Sequence, residues 1–291
     1  MNMRGKNFVL NLASFLAKIF PDSIKRYFYK NPALSEAIRG TLNRAAPKGN
    51  HRVEIAAGVN EGIQMFLDLR TEKEYWLGTY ELDLQKAATD LIEMDQIIYD
   101  IGANIGYLTL MFATLIGPGG HVFAFEALPG NVDRLKENIE INGYKERVTA
   151  VNAAVTDHSE EVEFLIGPSS AMGKVQGSSG RTSIDYQDKI SVEGISIDEY
   201  VEISGIPSPN IIKLDVEGGE TLALRGMEKL LMNDKPVVLI ELHGLESAEM
   251  CWEILQKANY RICHMEDGFP QVNSIDELDW KSYLVALPNV N

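Results

Sequence analysis

From residue 97 onward the chain alternates two kinds of run, and this alternation limits the fold more than any other feature. Seven short stretches are rich in valine, isoleucine and leucine: IIYDI (97–101), HVFAFEA (121–127), VTAVNAAV (148–155), NIIKLDV (210–216), PVVLIEL (236–242), YRICHME (260–266) and SYLVALP (282–288). Runs with helical spacing follow several of them, at 106–115, 131–142, 220–232 and 247–258. Strands that are apolar on both faces need cover on both faces, and a helix between consecutive strands supplies the crossover that parallel pairing requires. The expected fold is α/β, a doubly wound and mostly parallel sheet of seven strands. Ligands of such sheets bind at the carboxyl ends of the strands, so the residues that close each strand matter most.

Residues 1–93 read as an extension and 94–291 as the ligand-binding domain. In the extension, HRVEIAA and IQMFLDL alternate apolar and polar positions around GVNEG and read as a hairpin. EKEYWLGTYELDLQKAATDLIEM reads as helix, a break at Gly78, and helix. Downstream, EEVEFLI and DKISVEGISI read as two further strands, and the glycine- and serine-rich segment between them as a loop serving as a substrate or cofactor flap. Cys251 and Cys263 form no CxxC pair, which points to two core thiols rather than a disulfide framework or a zinc finger.

Charge divides the chain unevenly. Residues 1–52 carry ten lysines and arginines against Asp22 and Glu36, a balance of +8, while the remainder carries −23. A body that acidic is a poor surface for a polyanion, so no nucleic-acid partner is expected. In the head, Asn7, Asn11, Ser14 and Lys18 share one helical face and the rest of 8–20 is apolar. That run is too short to span a bilayer, which takes roughly 20 apolar residues. Two readings stand for residues 1–30: a peripheral contact with the inner membrane face of a cytoplasmic protein, or a helix packed on the body whose basic charges offset the acidic surface.

The first strand runs into YDIGANIGYLT, a turn between strand and helix. A P-loop would follow its glycines with Lys-Ser/Thr, and a dinucleotide site would read GxGxxG. Here Asn104 stands where the middle glycine would be, and Asp100 just before the turn would repel phosphate and attract a cation. S-adenosylmethionine, with an ammonium, a sulfonium and no phosphate, fits that turn. Glu126 closes the second strand at the distance where a carboxylate accepts hydrogen bonds from ribose hydroxyls.

YDIGANIGYLTLMFA, FAFEALPGNVDRLKENIEINGY, VNAAVTD, SIDEYV and IIKLDVEGGETLALRGMEKLL together resemble the FkbM-type methyltransferases, over about residues 65–245. One departure is EALPGN, where that family usually has a Glu-Pro pair. The resemblance implies a Rossmann-like sheet with strands in the order 3-2-1-4-5-7-6, and O-methylation of a sugar, glycolipid or natural product with S-adenosylhomocysteine as by-product. By the same resemblance Asp100, Gly102, Ala103, Asn104 and Gly106 would hold the methionine portion of the cofactor, Glu126 its ribose, and Asn152 and Ala153 would border the adenine. Tyr80 would either close over the cofactor or serve as a packing residue.

The fourth and fifth strands close on polar side chains, Lys213, Asp215 and Glu217 on one and Glu241 and His243 on the other. Alternation puts Glu241 and His243 on one face. An alcohol loses its proton as it attacks, and His243 is the expected base, with Asp215 beside the transferred methyl and Glu217 or Glu241 orienting the ring or holding sugar hydroxyls. A variant has Asp215, Glu241 and His243 coordinating a divalent metal. Glu217 could instead cap the following helix. A methyltransferase acting on DNA bases would show an Asn/Asp-Pro-Pro-aromatic turn after the fourth strand, and DVEGG is no such turn. The alternative of another class is a non-catalytic cofactor-binding or membrane scaffold protein, which would bind S-adenosylmethionine and modify no acceptor.

Overall fold

The computed structural model describes residues 3–168, 173–179, 184–186 and 188–289. They form two compact units, Met1–Lys86 with Glu140–Gly143, and Ala87–Ile139 with Tyr144–Asn291. The division falls inside a helix, seven residues before the boundary read from the sequence.

The first unit begins with three helices, α1 (Met3–Ile19), α2 (Asp22–Lys30) and α3 (Pro32–Ala45). Pro32 opens α3 where a missing N–H costs nothing, and the Asn31 side chain accepts from the Leu34 N–H at 3.3 Å. The hairpin β1 (His51–Glu54) and β2 (Gln64–Leu67) pairs antiparallel, and α4 (Lys73–Leu77) and most of α5 (Leu82–Leu91) follow around Gly78. Three basic residues of the helices are paired within the unit: Lys18 with Glu61 at 2.9 Å, Arg39 with Glu74 at 2.8 Å, and Arg26 with Asp83. The inner side of α1 is the Ala17 side; Phe8, Leu12, Phe15 and Ile19 face outward and are exposed.

The second unit runs β3 (Ile97–Ile101), α6 (Tyr107–Leu115), β4 (His121–Glu126), α7 (Pro129–Ile141), β5 (Val148–Asn152), β6 (Ala154–Val155), β7 (Glu161–Ile166), β8 (Gly173–Val175), β9 (Asp188–Ile195) and α8 (Ile197–Ser204). It continues through β10 (Ile211–Leu214), α9 (Glu220–Arg225), α10 (Glu228–Asn233), β11 (Val237–His243), α11 (Leu245–Lys257), β12 (Tyr260–His264) and β13 (Lys281–Pro288). Seven strands make one sheet in the order β12-β13-β11-β10-β3-β4-β5. Pairing is parallel from β11 to β5, and β13 lies antiparallel between β11 and β12. Tyr99, Phe125, Ile212, Leu214, Ile240 and Leu242 are buried in its core, each such apolar side chain contributing about 1.5–3 kcal/mol.

Three readings of the sequence are corrected. The run 148–155 is not one strand: β5 ends at Asn152 and β6 joins a second sheet, β6-β9-β7-β8. Asn152 marks the departure: it is the last residue paired with β4, and its side-chain amide donates to the carbonyls of Glu126 at 3.0 Å and Ala127 at 2.9 Å. The helix at 220–232 breaks into α9 and α10 at Gly226, where a Cβ would sit 1.9 Å from the Thr156 carbonyl oxygen. The break frees the Gly226 carbonyl to accept from Asp198 N–H at 2.8 Å and Ser196 Oγ at 2.9 Å. The glycine-rich segment is not all loop, because Gly173–Val175 pairs with β7 as β8. The rest of the expected flap lies largely outside the described residues. Both cysteines are buried and free, as core thiols should be.

Candidate active site

The glycine turn is fixed by the strands on both sides of it. Gly102 and Ala103 donate to the Phe125 carbonyl at 2.9 and 3.0 Å. Gly102 adopts φ +79°, and a Cβ there would stand 1.9 Å from the Asp215 carbonyl oxygen, so only glycine lets the turn press against the end of β10. Asn104 takes a left-handed φ of +50° that asparagine tolerates better than most residues, and Gly106 opens α6 at φ +93°.

Asp100 meets its cation within the protein. Its carboxylate is fully buried, accepts from Thr109 Oγ1 at 2.6 Å, and lies 3.3 Å from Lys213 Nζ. Lys213, opposite Asp100 in the β3–β10 register, also donates to the carbonyls of Ile101 at 3.2 Å and Gly102 at 2.7 Å. The pair therefore braces the turn from beneath.

Glu126 sits opposite Asn152 where β4 and β5 end. One carboxylate oxygen accepts from the Asn104 N–H at 2.9 Å; the other accepts from the Leu128 N–H at 2.9 Å and the Asn131 amide at 3.2 Å. Burial raises its pKa, against the pull of those hydrogen bonds. Ala153 is buried beside it in sequence to Asn152, whose side chain is exposed.

The second cluster closes β10 and β11. His243 is completely buried. Its Nδ1 donates to Glu220 Oε1 at 2.9 Å, and Nε2 stands 2.8 Å from Glu241 Oε1, close enough to attract but not aligned to hydrogen-bond. Glu217 Oε2 is 3.8 Å from Nε2, and Glu217 itself is held at a left-handed φ of +49°, a conformation that costs about 1–2 kcal/mol. Asp215 and Glu217 are the half-exposed members of the group. Glu241 also pairs with Lys281, which comes from β13 directly opposite His243. Burial disfavours the charged ring, but Glu220 and Glu241 outweigh it and raise the His243 pKa to about 10. Burial likewise opposes the Glu241 charge, and His243 and Lys281 overcome it to hold that carboxylate at about 2.

The structure thus gathers Asp215, Glu217, Glu241 and His243, and separately Gly102, Ala103, Asn104, Gly106 and Glu126, with Asn152 at the neighbouring strand end. His243 does not stand as an open base: it is fully buried, and Glu220 and Glu241 raise its pKa. The N-cap of α9 is Gly219, and the Gly218 N–H goes to Glu220 Oε1 at 3.0 Å. Tyr80 belongs to the first unit, where its ring meets Tyr75 edge-on at 4.6 Å. Sequence reading missed Glu220 and Lys281 as members of the cluster. Glu220 had a signal, five residues after Asp215 in DVEGGE; Lys281 had none, because its place depends on a strand pairing across the sheet.

The chain is similar in sequence to known methyltransferases. The hexuronic acid methyltransferase AglP of Haloferax volcanii is 30% identical over 164 residues, 56% of this chain and 63% of AglP, so the match spans less than two thirds of that relative. The 2-O-methyltransferase NoeI of Sinorhizobium fredii is 26% identical over 195 residues, covering 62% of this chain and 78% of NoeI. A solved FkbM methyltransferase from Methylobacillus flagellatus is 18% identical, with a TM-score of 0.44 over 68% of this chain and 44% of its own, too loose a likeness to carry an inference. Residues 100–262 match the methyltransferase FkbM domain, from Asp100 at the glycine turn to Ile262 in β12. That is more than half of the chain, and the protein belongs to the FkbM methyltransferase family.

Proposed function

We propose that the protein is an S-adenosylmethionine-dependent O-methyltransferase that acts on a hydroxyl of a sugar, with hexuronic acid-bearing glycans the first acceptors to try. Family membership and the printed activities of AglP and NoeI support the reaction class. The observation that carries it to this site is the contact of Gly102 with the Asp215 carbonyl, which sets the turn expected to hold the cofactor against the cluster expected to hold the acceptor.

The residues at the strand ends suit the cofactor. No lysine follows the glycines to grip a phosphate, the turn is braced by an internal ion pair, and Glu126 offers a carboxylate where ribose hydroxyls donate. When bound, the cofactor supplies a methyl group on a sulfonium, whose charge disappears on transfer. The turn from Gly102 to Gly106 holds the methionine portion, Glu126 the ribose, and Asn152 and Ala153 border the adenine. Asp215 and Glu217 face the acceptor and hold its hydroxyl in line, a positioning effect able to supply several kcal/mol. The hydroxyl proton goes to a carboxylate at this edge. His243 and Glu241 lie behind and fix the geometry.

The test is transfer of labelled methyl from S-adenosylmethionine to uronic acid-bearing oligosaccharides. An alkali-stable methyl identifies a hydroxyl acceptor; an alkali-labile one identifies the carboxyl instead. Binding of NADH in place of S-adenosylmethionine overturns the reading of the turn, and cofactor binding without transfer to any acceptor supports the scaffold alternative.

A peripheral membrane contact is favoured by one observation. Phe8, Leu12, Phe15 and Ile19 form an exposed row along α1, and residues 1–52 carry a balance of +8. Aromatic and aliphatic side chains beside basic charge fit an anionic bilayer surface. Among the described residues no helix is long and apolar enough to cross a membrane.

A further inference from the structure

We propose that Asp215, Glu241 and His243 bind a divalent cation. One ligand atom from each of the three lies within 4.8 Å of the others. His243 Nε2 and Glu241 Oε1 are 2.8 Å apart, close to the separation of about 3 Å that two adjacent ligands on one small cation adopt when each bond is about 2.1 Å.

The ring is already oriented as a metal-ligating histidine is. Its Nδ1 donates to Glu220 at 2.9 Å, which turns Nε2 toward Glu241 and Asp215. Glu220 is itself fixed, accepting from the Gly218 N–H at 3.0 Å and Ser247 Oγ at 3.2 Å, so it serves as the outer carboxylate that fixes the ring and raises its basicity as a ligand.

His243 Nε2, which faces Glu241 and Glu217, has no hydrogen-bond partner among the described residues, and neither has the buried Glu241 Oε2. Both side chains are closed to solvent, at 0% and 3% exposure. Buried polar atoms are nearly always satisfied, and a cation held by Glu241 and Asp215 would satisfy His243 Nε2. The charges point the same way. Asp215, Glu217, Glu220 and Glu241 converge here, and the opposing groups are His243 and Lys281, with Trp280 against the ring edge. A bound cation shares Glu241 with Lys281, and the proton on Nε2 leaves to solvent as the metal–nitrogen bond forms.

The imidazole favours a first-row cation and the two carboxylates suit Mn2+ as they suit Mg2+, so Mn2+ is the probe that accepts both ligand types. The role of the cation rests on the methyl-transfer reading, since it would anchor an acidic sugar against an acidic edge; its binding does not. The carboxylates of the cluster and a uronic acid carboxylate otherwise repel one another.

The experiment is titration of chelator-treated protein with MnCl2 by calorimetry, without acceptor, alongside a separate S-adenosylmethionine titration. One equivalent of Mn2+ should bind. His243→Gln and Glu241→Gln should each weaken it by about tenfold or more, and Glu220→Gln by about 10–100-fold, while all three still bind S-adenosylmethionine as proof of folding. Wild-type protein that binds S-adenosylmethionine but no Mn2+, or Mn2+ binding indifferent to His243→Gln, overturns the site and leaves the methyl-transfer reading standing. Mn2+ binding that the variants weaken, in a protein without S-adenosylmethionine affinity, keeps the site and removes its proposed use.

Discussion

Glu220 Oε1 and His243 Nδ1 lie 2.9 Å apart, and neither side chain is exposed at all. An ion pair without solvent is costly to break from one side, because the remaining charge stays buried. Glu220→Ala should therefore destabilise the protein by about 3–5 kcal/mol, and thermal unfolding measures it. A Tm within a degree or so of wild type would mean that the ring is neutral or that water reaches the pair.

Lys213 and Asp100 allow the cleaner test of such a pair. Lys213→Met alone strands the Asp100 carboxylate beneath the glycine turn, with an expected loss of about 3–5 kcal/mol. Adding Asp100→Asn removes the stranded charge and should recover much of that loss. Denaturant unfolding of the two single variants and the double variant gives the coupling energy; strictly additive losses would show that the two side chains do not interact.

Gly102→Ala and Gly130→Ala separate a required glycine from a dispensable one. The first meets the Asp215 carbonyl at 1.9 Å with φ at +79°, while a Cβ on Gly130 meets nothing within 4 Å. Gly102→Ala should abolish S-adenosylmethionine binding and lower the Tm. Gly130→Ala, inside α7, should leave binding unchanged and raise stability by up to about 1 kcal/mol. Equal behaviour of the two in cofactor titrations would contradict the close approach of the turn to β10.

Glu126 sets a pH dependence with a definite sign. Burial raises its pKa, so on acidification it takes up a proton while an ordinary glutamate is still charged. A carboxyl whose folded pKa is raised favours the folded state as pH falls and disfavours it as pH rises. Cofactor affinity moves the other way, since the protonated group is a poorer acceptor for ribose hydroxyls and for the Asn104 N–H. Calorimetry from neutral to mildly acidic buffer should show weakening that Glu126→Gln removes, the variant binding more weakly throughout by about 1.5–3 kcal/mol.

The exposed row on α1 predicts that Phe8→Asp with Phe15→Asp abolishes flotation with anionic vesicles and leaves S-adenosylmethionine affinity unchanged. Flotation that survives both substitutions would show that the row is not the contact.

The parallel half of the sheet was legible because its strands are apolar on both faces and separated by helices, a local pattern. The glycine turn and Glu126 were legible for the same reason, since each closes a strand visible in the sequence. What escaped was set by contacts distant along the chain. The ring of His243 looks like a base in isolation; Glu220 and Glu241 enclose it and raise its pKa. The break of 148–155 between two sheets depends on carbonyls of β4, and the break at Gly226 on the backbone of Thr156. Lys281 reaches the cluster only through the antiparallel register that places it across from His243.

That register also orders events during synthesis. β12 leaves the ribosome before β13, yet β13 lies between it and β11. Until the later strand arrives, β12 has no partner in the sheet, and β11 is an apolar edge open to other nascent chains. The half of the sheet around the glycine turn can assemble early, while the charge balance around Glu241 is completed last. While the chain has emerged only as far as residues between 265 and 280, the sheet has an unprotected border.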